Sequence, residues 1–148
     1  MTNAIETAAR QRLESLIGEW TMAAKPPDGP AWPGGGRVTF SWLEPGVPLV
    51  LQRWQVDLPE APDGVAVIGC DGKSGDYYQL YTDERDVQRL YAMGLDDEVW
   101  TLSREGEPFA QRFTGTFAPD GNTITGRWEI DEGAGWRTDF ALVYTRVS

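Results

Sequence analysis

The chain has 148 residues, enough for one domain that needs no metal or disulfide staple. Acids outnumber bases 23 to 13 for a net charge of −10, which argues against nucleic acid and membrane surfaces as partners, since both recruit cations. There is no histidine and one cysteine, Cys70, which argues against Ser-His and Cys-His nucleophiles, ordinary haem or zinc ligation and an internal disulfide, so no metal and no cofactor is expected and the compartment is read as reducing and cytoplasmic.

The first segment reads as a helix over 3–17. Asn3 and Glu6 form a capping pair, and Ile5, Ala9, Leu13, Leu16 and Ile17 recur at three-to-four spacing as one apolar stripe. Gly18 is placed as the stop. The start of the chain shows neither the basic region nor the apolar run of a signal peptide, and no apolar run approaches the ~18 residues of a spanning helix.

From Gly18 the apolar period changes to two, beginning with Trp20, Met22 and Ala24. A Pro- and Gly-rich loop over 25–36 follows, carrying Trp32. Strands are then predicted over 37–43, 47–58, 65–70, 77–82, 87–95, 99–104, 109–117, 123–130 and 136–147. The separators are turn chemistry: Glu44-Pro45-Gly46, Asp63-Gly64, Lys73-Ser74-Gly75, Asp83-Glu84, Asp96-Asp97, Glu105-Gly106, Asp120-Gly121 and Glu132-Gly133. Evenly spaced strands with short turns imply sequential antiparallel pairing, and a sheet of about ten strands must curl or close to remove its edges. The predicted fold is therefore all-β, an up-and-down meander barrel over 18–147 fronted by a short helix, within a single domain over 1–148. A two-sheet sandwich is the rival.

Six of the seven tryptophans fall in predicted strands. Alternate strand residues share a face, so Phe40 goes with Trp42, Gln52 with Trp54, Arg89 with Tyr91, Trp100 with Leu102, and Phe113 with Phe117. Each ring alone reads as core packing. Together with Tyr144, and with those faces turned inward, Phe40, Trp42, Gln52, Trp54, Arg89, Tyr91, Trp100 and Phe113 make an aromatic interior with a few polar groups, the composition of a small-molecule site. A one-residue slip in register would exchange inside for outside.

Tyr144 and Arg146 share a face of the last strand. They could grip a carboxylate, or Arg146 could stack on Trp20 and close the barrel end. The pairs Arg127/Glu129 and Arg137/Asp139 read as same-face ion pairs on the outer wall. Asp96-Asp97-Glu98 reads as a solvated turn, Gly34-Gly35-Gly36 precedes a strand and not a helix, and Cys70 reads as a small core residue.

Gly18-Glu19-Trp20 after a short helix resembles the Gly-x-Trp opening of lipocalins and other calycins, and Arg146 resembles the basic residue that packs across that Trp. The runs 81–85 (YTDER), 111–117 (QRFTGTF) and 121–129 (GNTITGRWE) resemble a bacterial family of uncharacterised calycin-like proteins, over about residues 18–147. The resemblance implies a ten-stranded barrel akin to fatty-acid-binding proteins and nitrobindins, and implies no activity. Nitrobindin-like proteins hold haem through a histidine, which this chain lacks.

Three functions are open at this point. The barrel binds a small hydrophobic or aromatic molecule; or it is a cofactor-independent isomerase or cyclase; or it is a structural or partner-binding protein, with Trp32 as its contact. Outward rings also leave a homodimer open.

Overall fold

Asn3 starts the helix as its short amide side chain allows: Oδ1 accepts the Glu6 N–H at 2.8 Å. In the computed structural model, which describes residues 3–57, 61–106 and 108–148, helix α1 spans Ala4–Leu13. It is shorter than expected. After Leu13 the backbone tightens to three-residue bonds, with Ser15, Leu16 and Ile17 N–H groups donating to Arg12, Leu13 and Glu14. The Ser15 hydroxyl also takes the Arg12 carbonyl at 2.8 Å, the local competition that unwinds helix ends. Gly18 is no helix stop but the first strand residue, with φ of 135°. A Cβ there would collide with the Ser148 carbonyl and crowd the Arg146 guanidinium.

Ten strands follow: β1 (Gly18–Lys25), β2 (Gly36–Trp42), β3 (Val50–Val56), β4 (Gly64–Cys70), β5 (Tyr77–Asp83), β6 (Gln88–Leu95), β7 (Val99–Arg104), β8 (Ala110–Phe117), β9 (Thr123–Asp131) and β10 (Trp136–Arg146). Each pairs antiparallel with its neighbours in sequence, and β1 pairs with β10, closing the barrel. The expected third strand loses its first residues because Pro48 has no N–H for a ladder; its last, Leu58, lies outside the described residues. Gly64 and Asp83, expected in turns, are ends of strands. In β10 the register shifts between Thr138 and Phe140, so Arg137 and Asp139 are not a same-face pair. Arg137 instead pairs with Glu132, while Arg127 does reach Glu129 at 3.6 Å.

The barrel has two unlike ends. Strands β1, β3, β5, β7 and β9 run away from α1, so Trp20, Val50, Tyr77, Trp100 and Ile124 lie near the helix, and all five are buried. Leu13 and Leu16 seal that end, and the Tyr77 hydroxyl donates to the Ala9 carbonyl at 3.2 Å. The Arg10 guanidinium covers Trp42 at 4.2 Å.

Trp20 and Arg146 face each other across the closing β1/β10 pair. The guanidinium lies 4.2 Å from the indole centroid, and Nη1 and Nη2 donate to the Ile17 and Ser15 carbonyls, both at 2.7 Å. The Trp20 indole N–H donates to the Leu16 carbonyl at 2.9 Å. Two carbonyls that α1 leaves without partners are thus bonded to the last strand, and Arg146 closes the barrel end and is not turned toward a ligand.

Replacing Arg146 with Met keeps an apolar stem over Trp20 but deletes both charged donors. We expect a loss of about 2–4 kcal/mol in urea unfolding, with Arg146→Lys recovering part of it. A change below about 0.5 kcal/mol would contradict this role.

Candidate functional site

The end opposite α1 is where inward-facing side chains become partly exposed. Trp54, Tyr81, Arg89, Gln111, Trp128 and Phe140 all point inward there, and all are only half-buried. The inward residues of the helix half, such as Phe40, Trp100, Phe113 and Tyr144, are buried.

A chain of ring contacts crosses the barrel from this mouth. Trp54 stacks on Tyr81 with centroids 5.3 Å apart, Tyr81 meets Tyr91 edge-on at 6.2 Å, and Tyr91 meets Trp128 at 5.6 Å. Trp128 continues to Phe113 at 5.3 Å, then Trp100 at 4.9 Å, and Trp100 to Phe40 and Tyr144 at 5.9 and 6.1 Å. Gly64 makes room at the rim: the Trp54 indole lies where its Cβ would be. The indole N–H of Trp54 donates to the Pro62 carbonyl at 3.1 Å, which fixes the ring. Trp32, in the loop between β1 and β2, leans on Phe140 at 6.2 Å and remains partly exposed.

Polar groups sit among these rings. Gln111 Oε1 accepts from the Tyr91 hydroxyl at 2.9 Å and from Arg89 Nη1 at 3.1 Å. Burial raises the Tyr91 pKa, and the bond and charge of Arg89 temper the rise. Arg104 holds the Phe109 carbonyl at 2.9 Å beside them. Deeper in, Gln79 Nε2 donates to Gln52 Oε1 at 2.8 Å, a buried amide pair. Burial alone raises the Tyr144 phenol. Among the described residues nothing accepts the buried indole N–H of Trp100.

On the rim, Asp83 accepts from the Tyr81 hydroxyl and Arg85 Nη2, both at 2.7 Å. The turn after β5 builds this clasp: the Arg85 N–H returns to Asp83 Oδ1 at 2.9 Å, and Asp86 takes φ of 63° to complete it. Burial pushes the Asp83 carboxyl up, but the bonds from Arg85 and Tyr81 outweigh it and hold it well below the usual carboxylate range. Tyr81 is pushed up by burial and by the same carboxylate.

The nine expected ligand residues all lie on the inner face, but in separate places. Trp54, Arg89 and Tyr91 gather near the mouth. Phe40, Trp100, Phe113 and Tyr144 form the enclosed ring cluster, Gln52 is paired with Gln79 in mid-barrel, and Trp42 lies under Arg10 beside the helix. Tyr81, Gln111, Trp128, Phe140 and Asp83 were not anticipated as site residues. The alternation Tyr77-Gln79-Tyr81-Asp83 carried the signal for two of them. Phe140 shares the parity of Leu142 and Tyr144, so alternation counted back from Tyr144 reaches it.

The mouth can stack planar groups and donate hydrogen bonds. It is a poor place for proton abstraction: its phenols are held protonated, and its rim carboxylate is low in pKa and clasped. Two open grooves are present, one of about 610 Å³ that runs from the outer faces of β2 and β3 to the rim at Trp54, Gly64 and Asp83, and one of about 640 Å³ on the outer wall. One mixes Arg37, Arg53, Glu19 and Glu84; the other follows Gly34–Gly36, and neither gathers a converging polar set.

The sequence matches no protein-family profile and no curated protein. Among solved structures the chain resembles Rv2717c from M. tuberculosis, with TM-score 0.66 and 15% identity, covering 95% of this chain and 98% of that one. A more distant match is a de novo designed fluorescence-activating β-barrel, with TM-score 0.46 and 14% identity over 93% and 96% of the two chains. The likeness to Rv2717c is one of fold: a near-complete overlay at an identity that transfers no activity.

Asp83→Asn tests the rim clasp. A carboxyl held low in the folded state stabilises it fully above the unfolded pKa near ~4, and that stability drains as pH falls. The stability gap between parent and variant, about 1–3 kcal/mol at pH 7, should therefore narrow steadily below about pH 4. An equal gap at pH 3 and pH 7 would contradict the clasp.

Proposed function

We propose that this calycin-like barrel binds a small planar aromatic molecule bearing an acidic or strongly accepting group, seated at the mouth opposite α1. The observation that carries the reading is a cluster on the inner wall at the mouth, where Trp54, Tyr81, Trp128 and Phe140, all half-buried, lie with Arg89 and Gln111, while Trp20, Phe40, Trp100, Phe113 and Tyr144 of the helix half are buried. Inward rings left partly wet are where stacking on a ligand has most to gain.

The polar part of the ligand follows from Arg89. Among the described residues no carboxylate comes within 4.0 Å of its guanidinium; its hydrogen-bond partner is the neutral amide of Gln111. A half-buried cation without a counter-charge favours an anion beside it. In a chain of net charge −10 it is a local exception that selects for position. Binding is favoured over catalysis because Tyr81 and Tyr91 are shifted up and Asp83 is shifted down, each away from neutral pH. A cytoplasmic location is part of the proposal, supported by the single cysteine.

Titration with 2-naphthoate, 2-naphthamide and naphthalene, read by tryptophan fluorescence and calorimetry, tests this. The naphthoate should bind most tightly, and Arg89→Gln should weaken it about tenfold, or about 1.4 kcal/mol, while changing naphthalene binding little. If no fused-ring or single-ring aromatic in a wider panel perturbs the protein, the reading fails.

A further inference from the structure

The outer wall of a barrel should be polar at every second residue, and over β8 and β9 it largely is: Arg112 and Arg127 pair with Glu129. Over β4 to β6 it is not. Three cross-strand rows face outward there: Val65–Thr82–Gln88, Val67–Leu80–Leu90 and Gly69–Tyr78–Ala92. None of these nine residues is charged, and Leu51 extends the middle row onto β3. Leu90 is 64% exposed, Leu80 44% and Tyr78 39%. The Tyr78 phenol lies across Gly69, where a Cβ would strike its ring, so the tyrosine is laid flat along the wall. Strand formation does not require leucines at exposed positions, and a contiguous apolar patch on a soluble surface marks a contact.

We propose that this face of β4–β6 is where a second copy of the chain docks, giving a weak two-fold dimer centred on Leu80 and Leu90. Three arguments select that occupant. The barrel is closed, so association cannot add a strand to a free edge and must proceed face to face. Each copy carries −10, and two such copies approach best through a surface with no charge, the remaining charges being screened beyond a Debye length of ~8 Å. An uncharged apolar face is also complementary to itself, as an isologous contact requires. The area sets the strength: a face of three short rows with three strongly exposed side chains, Leu90, Leu80 and Tyr78, is small against the ~800 Å² per partner of a stable interface. The dimer therefore exchanges with monomer and forms at high protein concentration.

Sedimentation equilibrium of the full chain, from micromolar to millimolar, reads this directly. The weight-average mass should climb toward twice the monomer value. Leu90→Glu and Leu80→Glu, each an exposed change that empties no core, should weaken dimerisation at least tenfold with unchanged circular dichroism. Val143→Glu, an exposed apolar position on β10, should leave it intact. A monomer at every concentration overturns the proposal, as does a dimer indifferent to Leu90→Glu or equally lost in Val143→Glu. Co-flotation with phosphatidylcholine vesicles that Leu90→Glu abolishes, with the protein monomeric, assigns the face to lipid and overturns it too.

Discussion

The closure at Arg146 is the contact on which the rest of the architecture depends. One guanidinium covers the first strand's Trp20, stands on the last strand, and binds two carbonyls at the tail of α1. It therefore joins the beginning, the end and the plug of the barrel in a single bonded cluster. Because Trp20 also donates to the helix tail, neither side chain can move without releasing the other. The ladder from Trp20↔Arg146 to Lys25↔Ala141 removes the free edges of β1 and β10, and this contact fastens its helix end. The helix end is consequently held closed around Trp20, Leu13 and Leu16, and the half-buried rings and polar groups gather at the other end.

That division organises the chemistry. In the closed half, rings and aliphatic side chains pack with few polar atoms, and the buried amide pair of Gln52 and Gln79 satisfies itself. In the open half, polar groups are arranged in two different ways. Asp83 is clasped by Tyr81 and Arg85, so the charge there is neutralised and serves the rim. Among the described residues Arg89 meets the neutral amide of Gln111 and the ring of Phe109, and this is the basis of the proposed anion contact. The low pKa of Asp83 and the raised pKa of the phenols around it are what favour the proposed binding role over proton transfer at this surface.

Much of the fold was legible because one physical signal, the period-two alternation, fixes which residues share a wall. Once the parity of Trp20 was chosen, Phe40, Gln52, Trp54, Tyr91, Trp100, Phe113 and Tyr144 all followed to the inner face. Alternation says nothing about height along the barrel, however. It could not separate the enclosed Trp100 from the half-open Trp54, nor place Trp42 under the helix. It also fails where the backbone departs from a plain ladder. The bulge at Asp139 broke the expected Arg137/Asp139 pair. Asp83 looked like turn punctuation beside Glu84, although it continues the Tyr77-Gln79-Tyr81 alternation and its carboxylate finds partners two residues away on either side. The helix end was misread for a similar reason: the Ser15 hydroxyl ends regular bonding before the apolar stripe ends.

The central claim is that access lies at the mouth and not at the helix end. Solution NMR of the indole N–H signals, assigned by single Trp→Phe variants, tests it most directly during titration with an aromatic carboxylate. The account predicts that the Trp54 and Trp128 signals shift in proportion to binding while that of Trp20, bonded to the Leu16 carbonyl beneath Arg146, stays fixed. Shifts centred on Trp20 and Trp42, with Trp54 and Trp128 unmoved, would contradict it.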